Sequence, residues 1–332
     1  MYTVEKASTA SARALESRLI EKDARFRAVV QPDLPPANTW SGLLRKTLAG
    51  ARGRGGPQGE ERRRDLDLGV DVVQTVAVNL RTRGELGPYL RTKVAQCRER
   101  FREGEGGRIG ALLCVSGGHP ARGLPFLGGS GGLLADSTDL IREAKRDMDH
   151  LARLAAPPSS SSSSSSPPPP LDLWCVENPL LGFDARKLES KLESGATKIV
   201  TQPPLLRDSF QRWFDQCASS RLFAGGAASE PFVVGIPAIT STRSLSFWLE
   251  ICGVSPKDDR EASKLLETFQ SKEDALSGED FDRYCLDYVR GLLDLARDLP
   301  HVGGLHFMPV TPKGYRQILL VSEWGCGNEK GV

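Results

Sequence analysis

Polar residues stand where several apolar segments of the sequence end, and their types suit the binding of a polar ligand. Gln202 follows the apolar run Ile199–Val200, while Ser116, Gly117, Gly118 and His119 follow a second run. Amides and hydroxyls supply hydrogen bonds, and glycine lets a ligand approach the backbone closely. Carboxylates and histidines are scarce at these ends, and no nucleophile–base pair is evident. The pattern favours a flat polar heterocycle and predicts no metal site.

Short runs rich in apolar and β-branched residues predict the strands that would present these groups. They are Arg27–Gln31, Asp71–Val78, Gly110–Ser116, Leu171–Glu177, Thr197–Gln202, Pro231–Pro237 and Gly304–Pro309. Continuous apolar runs are typical of parallel strands that are buried on both faces. Helical patterns lie between them; in one of these, Asp184 is placed as the N-cap and Gly195 closes the helix.

Alternation of strands and helices favours an α/β fold, and within it a (β/α)8 TIM barrel over a doubly wound sheet. No G-x-G-x-x-G motif follows a strand and opens a helix, as the doubly wound dinucleotide-binding fold would require. Strand two is atypical, because the arginine-rich stretch after Leu48 does not resemble a strand. The predicted layout is a helical extension over 1–24, a barrel over 25–325 with a flexible Ser/Pro-rich insert at 157–170, and a tail over 326–332.

Composition excludes several classes of protein. The 332 residues carry 44 basic and 42 acidic side chains, which argues against a dedicated nucleic-acid binder. The arginine-rich segment 50–64 is interpreted as a solvated loop rather than an RNA contact, because no aromatic residues interleave with its arginines. No apolar run reaches the length of a membrane span. Seven cysteines without a C-x-x-C pair indicate reduced thiols, and with no targeting segment they favour a cytoplasmic location.

One stretch resembles a known family. The segment Lys191–Cys217, which begins KLESGATKIVTQ, is similar to the K-x-x-A-G-A-x-x-x-x-T-Q segment of methylenetetrahydrofolate reductases. Val233–Trp248 and Leu112–Pro120 resemble two further segments of that family. The resemblance implies a TIM barrel that binds FAD, takes electrons from NADH or NADPH, and reduces a folate substrate. It places Gln202 on the pterin, and Asp184, Lys191 and the Ser116–His119 loop on the flavin. A homo-oligomer is compatible with it.

Two acidic residues of the family pattern are missing from these alignments. The first strand of the family ends E-x-x-P-P, and Pro32 stands at the position of that glutamate when Arg27–Gln31 is taken as the first strand. Asp33 is then the remaining candidate for the proton donor. Gly118 replaces the aspartate of the flavin loop. These departures keep a second hypothesis open, in which the barrel is catalytically degenerate and serves as a ligand-binding or regulatory partner protein.

Overall fold

The chain forms a closed barrel of eight parallel strands, as seen in a computed structural model. The structure describes residues 1–7, 9–32, 70–102, 107–116, 124–128, 131–156, 170–220 and 230–327. The strands run in sequence order around the barrel, and β1 pairs with β8 to close it. They are β1 Tyr2–Glu5, β2 Phe26–Gln31, β3 Asp71–Ala77, β4 Ile109–Val115, β5 Asp172–Glu177, β6 Lys198–Thr201, β7 Phe232–Pro237 and β8 Val302–Met308. The predicted (β/α)8 fold class is confirmed.

Helices follow the strands and cover the outside of the barrel. Within the described ranges they are α1 Ala10–Lys22, α2 Leu86–Arg102, α3 Pro125–Gly128, α4 Ser137–Arg146, α5 Met148–Ala155, α6 Ala185–Glu193, α7 Arg207–Ala218, α8 Thr242–Ile251, α9 Arg260–Ala275, α10 Gly278–Asp298 and α11 Pro312–Gly327. None of the helices in those ranges is both long and apolar enough to cross a membrane.

Seven strands lie within two residues of their predicted bounds, but the eighth is the first strand of the chain. Tyr2–Glu5 pairs with β2 and β8, so the predicted helical extension over 1–24 is wrong: those residues supply β1 and α1 of the barrel itself. Strand two is Phe26–Gln31, and no strand after Leu48 is needed to close the barrel. Only Tyr2 and Val4 of β1 contribute to the apolar core, so the strand lacks a continuous apolar run. At the other end of the chain, α11 continues to Gly327, inside the predicted tail.

Two apolar layers hold the barrel together, one on each face of the strands. The larger layer lies between strands and helices, where Tyr2, Phe26 and Phe307 form mutual ring contacts. The smaller layer fills the barrel interior. Its members are Ala28, Val30, Val73, Ala111, Leu113, Trp174, Val200 and Val233. Successive side chains of a strand point to opposite faces, so they belong alternately to the outer and the inner layer.

The predicted cap of α6 is confirmed, and α4 has a cap of the same kind. Asp136 caps α4 and Asp184 caps α6, each through a side-chain oxygen that accepts a hydrogen bond from a first-turn N–H. Gly195 follows α6 with a positive φ of 115°, a conformation that favours glycine. The six cysteines whose side chains are described are buried, and none of these six forms a disulfide. Except for Pro170, the Ser/Pro insert lies outside the described residues, and so does the segment 50–64.

Candidate functional site

The candidate site is the mouth of the barrel at the carboxyl ends of the strands, where TIM barrels carry their ligand and catalytic groups. Two non-glycine residues with positive φ follow strands at this end: Asn79 after β3, with φ 45°, and Val310 after β8, with φ 51°. The second is the rarer case, because a β-branched residue is strained in the left-handed region. Strain of this kind concentrates at functional sites, which agrees with a site at the mouth.

Glu5 is an acidic residue in the described part of this mouth, and sequence reasoning missed it. Glu5 is the last residue of β1, and its side chain lies on the same face of the strand as that of Thr3. The Thr3 hydroxyl is hydrogen-bonded to His306 inside the barrel. The register partner of Glu5 on β2 is Val30, a member of the interior layer. The Glu5 carboxylate makes no hydrogen bond or ion pair within the described part of the chain. Burial raises the pKa of this carboxyl above its usual range.

A signal for Glu5 was present in the sequence. Residues 2–5 read YTVE, in which two apolar residues alternate with two polar ones and the last is a carboxylate. Four alternating residues are too few to separate a strand from a loop by periodicity alone. Once β1 is recognised, Glu5 stands at the end of the first strand, where the resembled family has its glutamate. The alignment of Pro32 with that glutamate is therefore wrong, because Arg27–Gln31 belongs to the second strand.

Gln202 extends β6 by one residue at the mouth. Its backbone N–H donates to the carbonyl of Glu177 at 2.9 Å, which continues the ladder between β5 and β6. Alternation after Val200 of the interior layer predicts that Gln202 faces the lumen, whereas its side chain contacts Cys252, a residue of the larger, outer layer. Its side-chain oxygen is 3.9 Å from the Sγ of Cys252, a weak contact at most, and its amide nitrogen has no partner among the described residues. This amide is therefore available to a ligand.

Gly235, in the Val233–Trp248 segment that resembles the family, lies on β7 beside the end of β6. A Cβ atom on this residue would lie 2.5 Å from the carbonyl oxygen of Thr201 and 2.9 Å from the Cε of Met308. The first of these is a backbone atom that cannot move aside cheaply. Only glycine fits here, so this part of the sequence signal reflects packing beside Gln202 rather than a ligand contact.

Lys191 is not presented at the mouth. It is on α6, its side chain is 3% exposed, and its ammonium lies 2.5 Å from the Glu177 carboxylate and 2.7 Å from the carbonyl oxygen of Val176. Glu177 alternates with Trp174 and Val176 and so faces the helices rather than the lumen. The ion pair is thus enclosed between β5 and α6. The resemblance assigned Lys191 to the flavin, and nothing in the sequence indicated Glu177 as its partner.

The other residues that the resemblance assigned to the flavin are either engaged in the fold or outside the described ranges. Ser116 follows β4 and donates its hydroxyl hydrogen to Ser137 at 2.9 Å, at the start of α4. Asp184 is exposed and accepts a hydrogen bond from the N–H of Lys187 as the cap of α6. Gly117, Gly118 and His119 lie outside the described residues, as does Asp33.

These placements do not form a flavin cradle. A dinucleotide needs cationic or N–H donors directed at its phosphates. The Lys191 ammonium has a carboxylate and a carbonyl as its partners, and the Ser116 hydroxyl is directed at α4. The described members of the implied flavin set therefore do not fit the group. By contrast, Glu5 and Gln202 both keep polar atoms without partners in the described part of the mouth.

Comparisons with known proteins do not show a family for this chain. No protein-family model matches the chain, and no curated protein matches it. Among solved structures it is similar to the coenzyme F420 dependent tetrahydromethanopterin reductase from Methanopyrus kandleri, at 12% identity over 97% of each chain, with a TM-score of 0.43.

Two further structures are similar to a comparable degree. The long-chain alkane monooxygenase LadA has 11% identity over 94% of this chain and 82% of its own, with a TM-score of 0.41. A 2,3-dimethylmalate lyase of the PEP mutase/isocitrate lyase superfamily has 9% identity over 100% of this chain and 82% of its own, with a TM-score of 0.37. Likeness at this level does not bear on what the chain binds, so the function is argued from the mouth itself.

Proposed function

We propose that the barrel binds a reduced folate at its mouth and acts as a methylenetetrahydrofolate reductase-like protein. The observation that carries the proposal is that this end of the barrel holds two polar groups without partners among the described residues: the carboxyl of Glu5, which ends β1, and the amide nitrogen of Gln202, which follows β6. Both strand ends belong to the same face of the barrel. The two residues stand where the resembled family has its proton donor and its pterin contact.

Glu5 supplies acid–base chemistry in this proposal. Opening of the one-carbon bridge of a methylenetetrahydrofolate requires a proton on the folate nitrogen. A carboxyl whose pKa is raised by burial keeps its proton to higher pH than an exposed one, which is the condition for a general acid near neutrality. Glu5 replaces Asp33 in this role, because it is the residue at the end of the true first strand.

Gln202 supplies recognition. Its amide offers one acceptor and two donor hydrogens, and the edge of a pterin presents complementary groups side by side. An amide that hydrogen-bonds to such an edge makes the site specific for a pterin, because a ligand without those groups leaves the amide unpaired and binds more weakly. No contact to FAD or to a nicotinamide is assigned, since the described residues do not form a cradle for the flavin.

A second candidate function is a folate-binding barrel without redox chemistry, serving as a ligand-binding or regulatory partner. The enclosed Lys191–Glu177 pair favours it, because the lysine that the resemblance assigns to the flavin already has a carboxylate partner. The two candidates share the folate and differ in the flavin.

Two measurements on the freshly purified full chain test these proposals. Titration with 5-methyltetrahydrofolate, followed by calorimetry, should give saturable binding at one site. A chain that shows no folate binding up to millimolar concentrations would overturn both candidates. The visible absorbance spectrum then separates them: flavin bands that bleach on addition of NADH or NADPH support the reductase, and a colourless protein that binds folate supports the partner protein.

A further inference from the structure

The wall between β5 and α6 contains an ion pair that is almost closed to solvent. The Lys191 side chain is 3% exposed and the Glu177 side chain is 12% exposed, with 2.5 Å between Nζ and Oε1. Glu177 faces the helices, away from the lumen, and Lys191 on α6 faces the end of β5. Paired charges at this depth are held far more tightly than exposed pairs, because a separated charge would have to be accommodated in a medium of low dielectric constant.

The pair is connected to the mouth through the backbone. The Lys191 ammonium donates to the carbonyl of Val176 and to the carboxylate of Glu177, the last two residues of β5. The carbonyl of Glu177 in turn accepts the backbone N–H of Gln202. Glu177 thus links the two elements: its carboxylate accepts from Lys191 on the outer helix, and its backbone carbonyl accepts from Gln202 at the end of β6.

We propose that Lys191 and Glu177 are positioning residues for Gln202, and that Lys191 acts through the wall instead of touching a ligand. The proposal deepens the proposed function, since Gln202 is the folate-recognition residue there. Its physical basis is the short length of β6, whose four residues leave Gln202 as a terminal ladder position. The position of Gln202 therefore depends on the end of β5, to which its backbone N–H is hydrogen-bonded, and any movement of that end also moves Gln202.

The positioning role is tested first without a ligand, by amide hydrogen exchange at Gln202. Lys191→Met removes the ammonium and should speed exchange of the Gln202 N–H about tenfold or more, because the end of the β5–β6 ladder opens locally. Lys198→Met is the matched control: Lys198 begins the same strand and donates to the carbonyl of Glu230 at the opposite end of the barrel. It should leave exchange at Gln202 unchanged.

A second variant keeps the test valid if Lys191→Met alone folds poorly. The double variant Lys191→Met/Glu177→Met removes both charges, so no unpaired charge stays buried. It should restore the melting temperature and still speed exchange at Gln202, since the contact to the Val176 carbonyl is also lost. Unchanged exchange at Gln202 in the folded double variant would overturn the proposal.

Folate binding distinguishes a positioning role of Lys191 from a role in stability alone, because a change in stability alone would leave the affinity for folate unaltered. Lys191→Met should weaken binding of 5-methyltetrahydrofolate about tenfold in the wild-type background, and should have no effect in a Gln202→Leu background, because both changes act on one interaction. Equal losses in both backgrounds would overturn the inference. If the wild-type chain binds no folate, the proposed function fails, and the exchange measurement alone decides whether Lys191 positions Gln202.

Discussion

The hydroxyl of Thr3 and the Nδ1 of His306 share a hydrogen bond of 3.0 Å inside the barrel, between the first strand and the last. Burial lowers the pKa of His306 from 6.5 to about 4, so the imidazole is neutral in the folded chain at neutral pH. This pair joins the two strands that close the barrel, which makes barrel closure sensitive to acid.

The pH dependence of unfolding follows from that shift. Between pH 6.5 and about 4 the unfolded chain binds a proton at His306 that the folded chain does not, so the free energy of unfolding falls as the pH falls. The contribution amounts to about 3 kcal/mol at most. Urea unfolding at pH 7 and at pH 4.5 measures this effect. The free energy of unfolding should fall more between these two pH values for the wild type than for His306→Asn, which cannot titrate. Equal losses in the two proteins would contradict the burial of a neutral imidazole.

Glu5→Gln should reduce catalysis without removing the ligand site. If the chain is a reductase, replacing the proton donor by an amide of the same shape should lower turnover about 10²–10⁴-fold, while the affinity for 5-methyltetrahydrofolate changes little. Glu21→Gln is the control, because Glu21 is an exposed carboxylate on α1. Steady-state kinetics of the three proteins check this prediction. Full activity in Glu5→Gln would remove Glu5 from the mechanism.

The raised pKa of Glu5 also predicts a pH-dependent difference in stability between wild type and Glu5→Gln, which can be measured without a substrate. The folded pKa of this carboxyl is raised above its usual value, so its protonation favours the folded chain, and this contribution is lost as the pH rises through the raised pKa. The glutamine in Glu5→Gln does not ionise, so the variant does not lose stability in this way as the pH rises. The melting temperature of the variant relative to wild type should therefore increase from pH 4 to pH 8. A constant difference across this range would show that the carboxyl is not buried.

Gln202→Leu should weaken folate binding and leave the fold intact. The change keeps the approximate volume but removes both polar groups, which costs about 1–3 kcal/mol, or roughly 5–150-fold in affinity, if a pterin edge is bound there. Stability should hardly change, because the one hydrogen-bond contact of this side chain with a described residue is the 3.9 Å contact with Cys252. Gln270→Leu, an exposed glutamine on α9, is the control for calorimetric titration. Undiminished affinity in Gln202→Leu would remove the amide from ligand recognition.

A buried and an exposed lysine ion pair of the barrel should differ greatly in their effect on stability. Lys191→Met leaves the Glu177 carboxylate buried without its partner, which should cost about 3–5 kcal/mol. Lys313→Met breaks the pair with Asp282, whose side chains are 54% and 52% exposed, and should cost at most about 1 kcal/mol. Denaturant unfolding of both variants measures the difference. Similar costs for the two would show that the first pair is solvated.

The sequence by itself determined the seven apolar strands, the helices between them and therefore the barrel. Each of these strands is buried on both faces, so its residues must be apolar or small almost throughout, and this local requirement is visible in the chain. The cap of α6 by Asp184 and its closure at Gly195 were visible for the same reason, because a helix end is satisfied by residues a few positions away. Gln202 was found because it follows such a strand directly.

Only the tertiary structure decided which strand is first and which residues meet at the mouth. β1 has four residues and takes its stability from pairing with β2 and β8, the latter about 300 positions away in sequence, so its own pattern carried little signal. Recognition of Glu5 depended on that strand. The partner of Lys191 was hidden in the same way: Glu177 precedes it by 14 positions, and only the packing of α6 on β5 brings the two charges together.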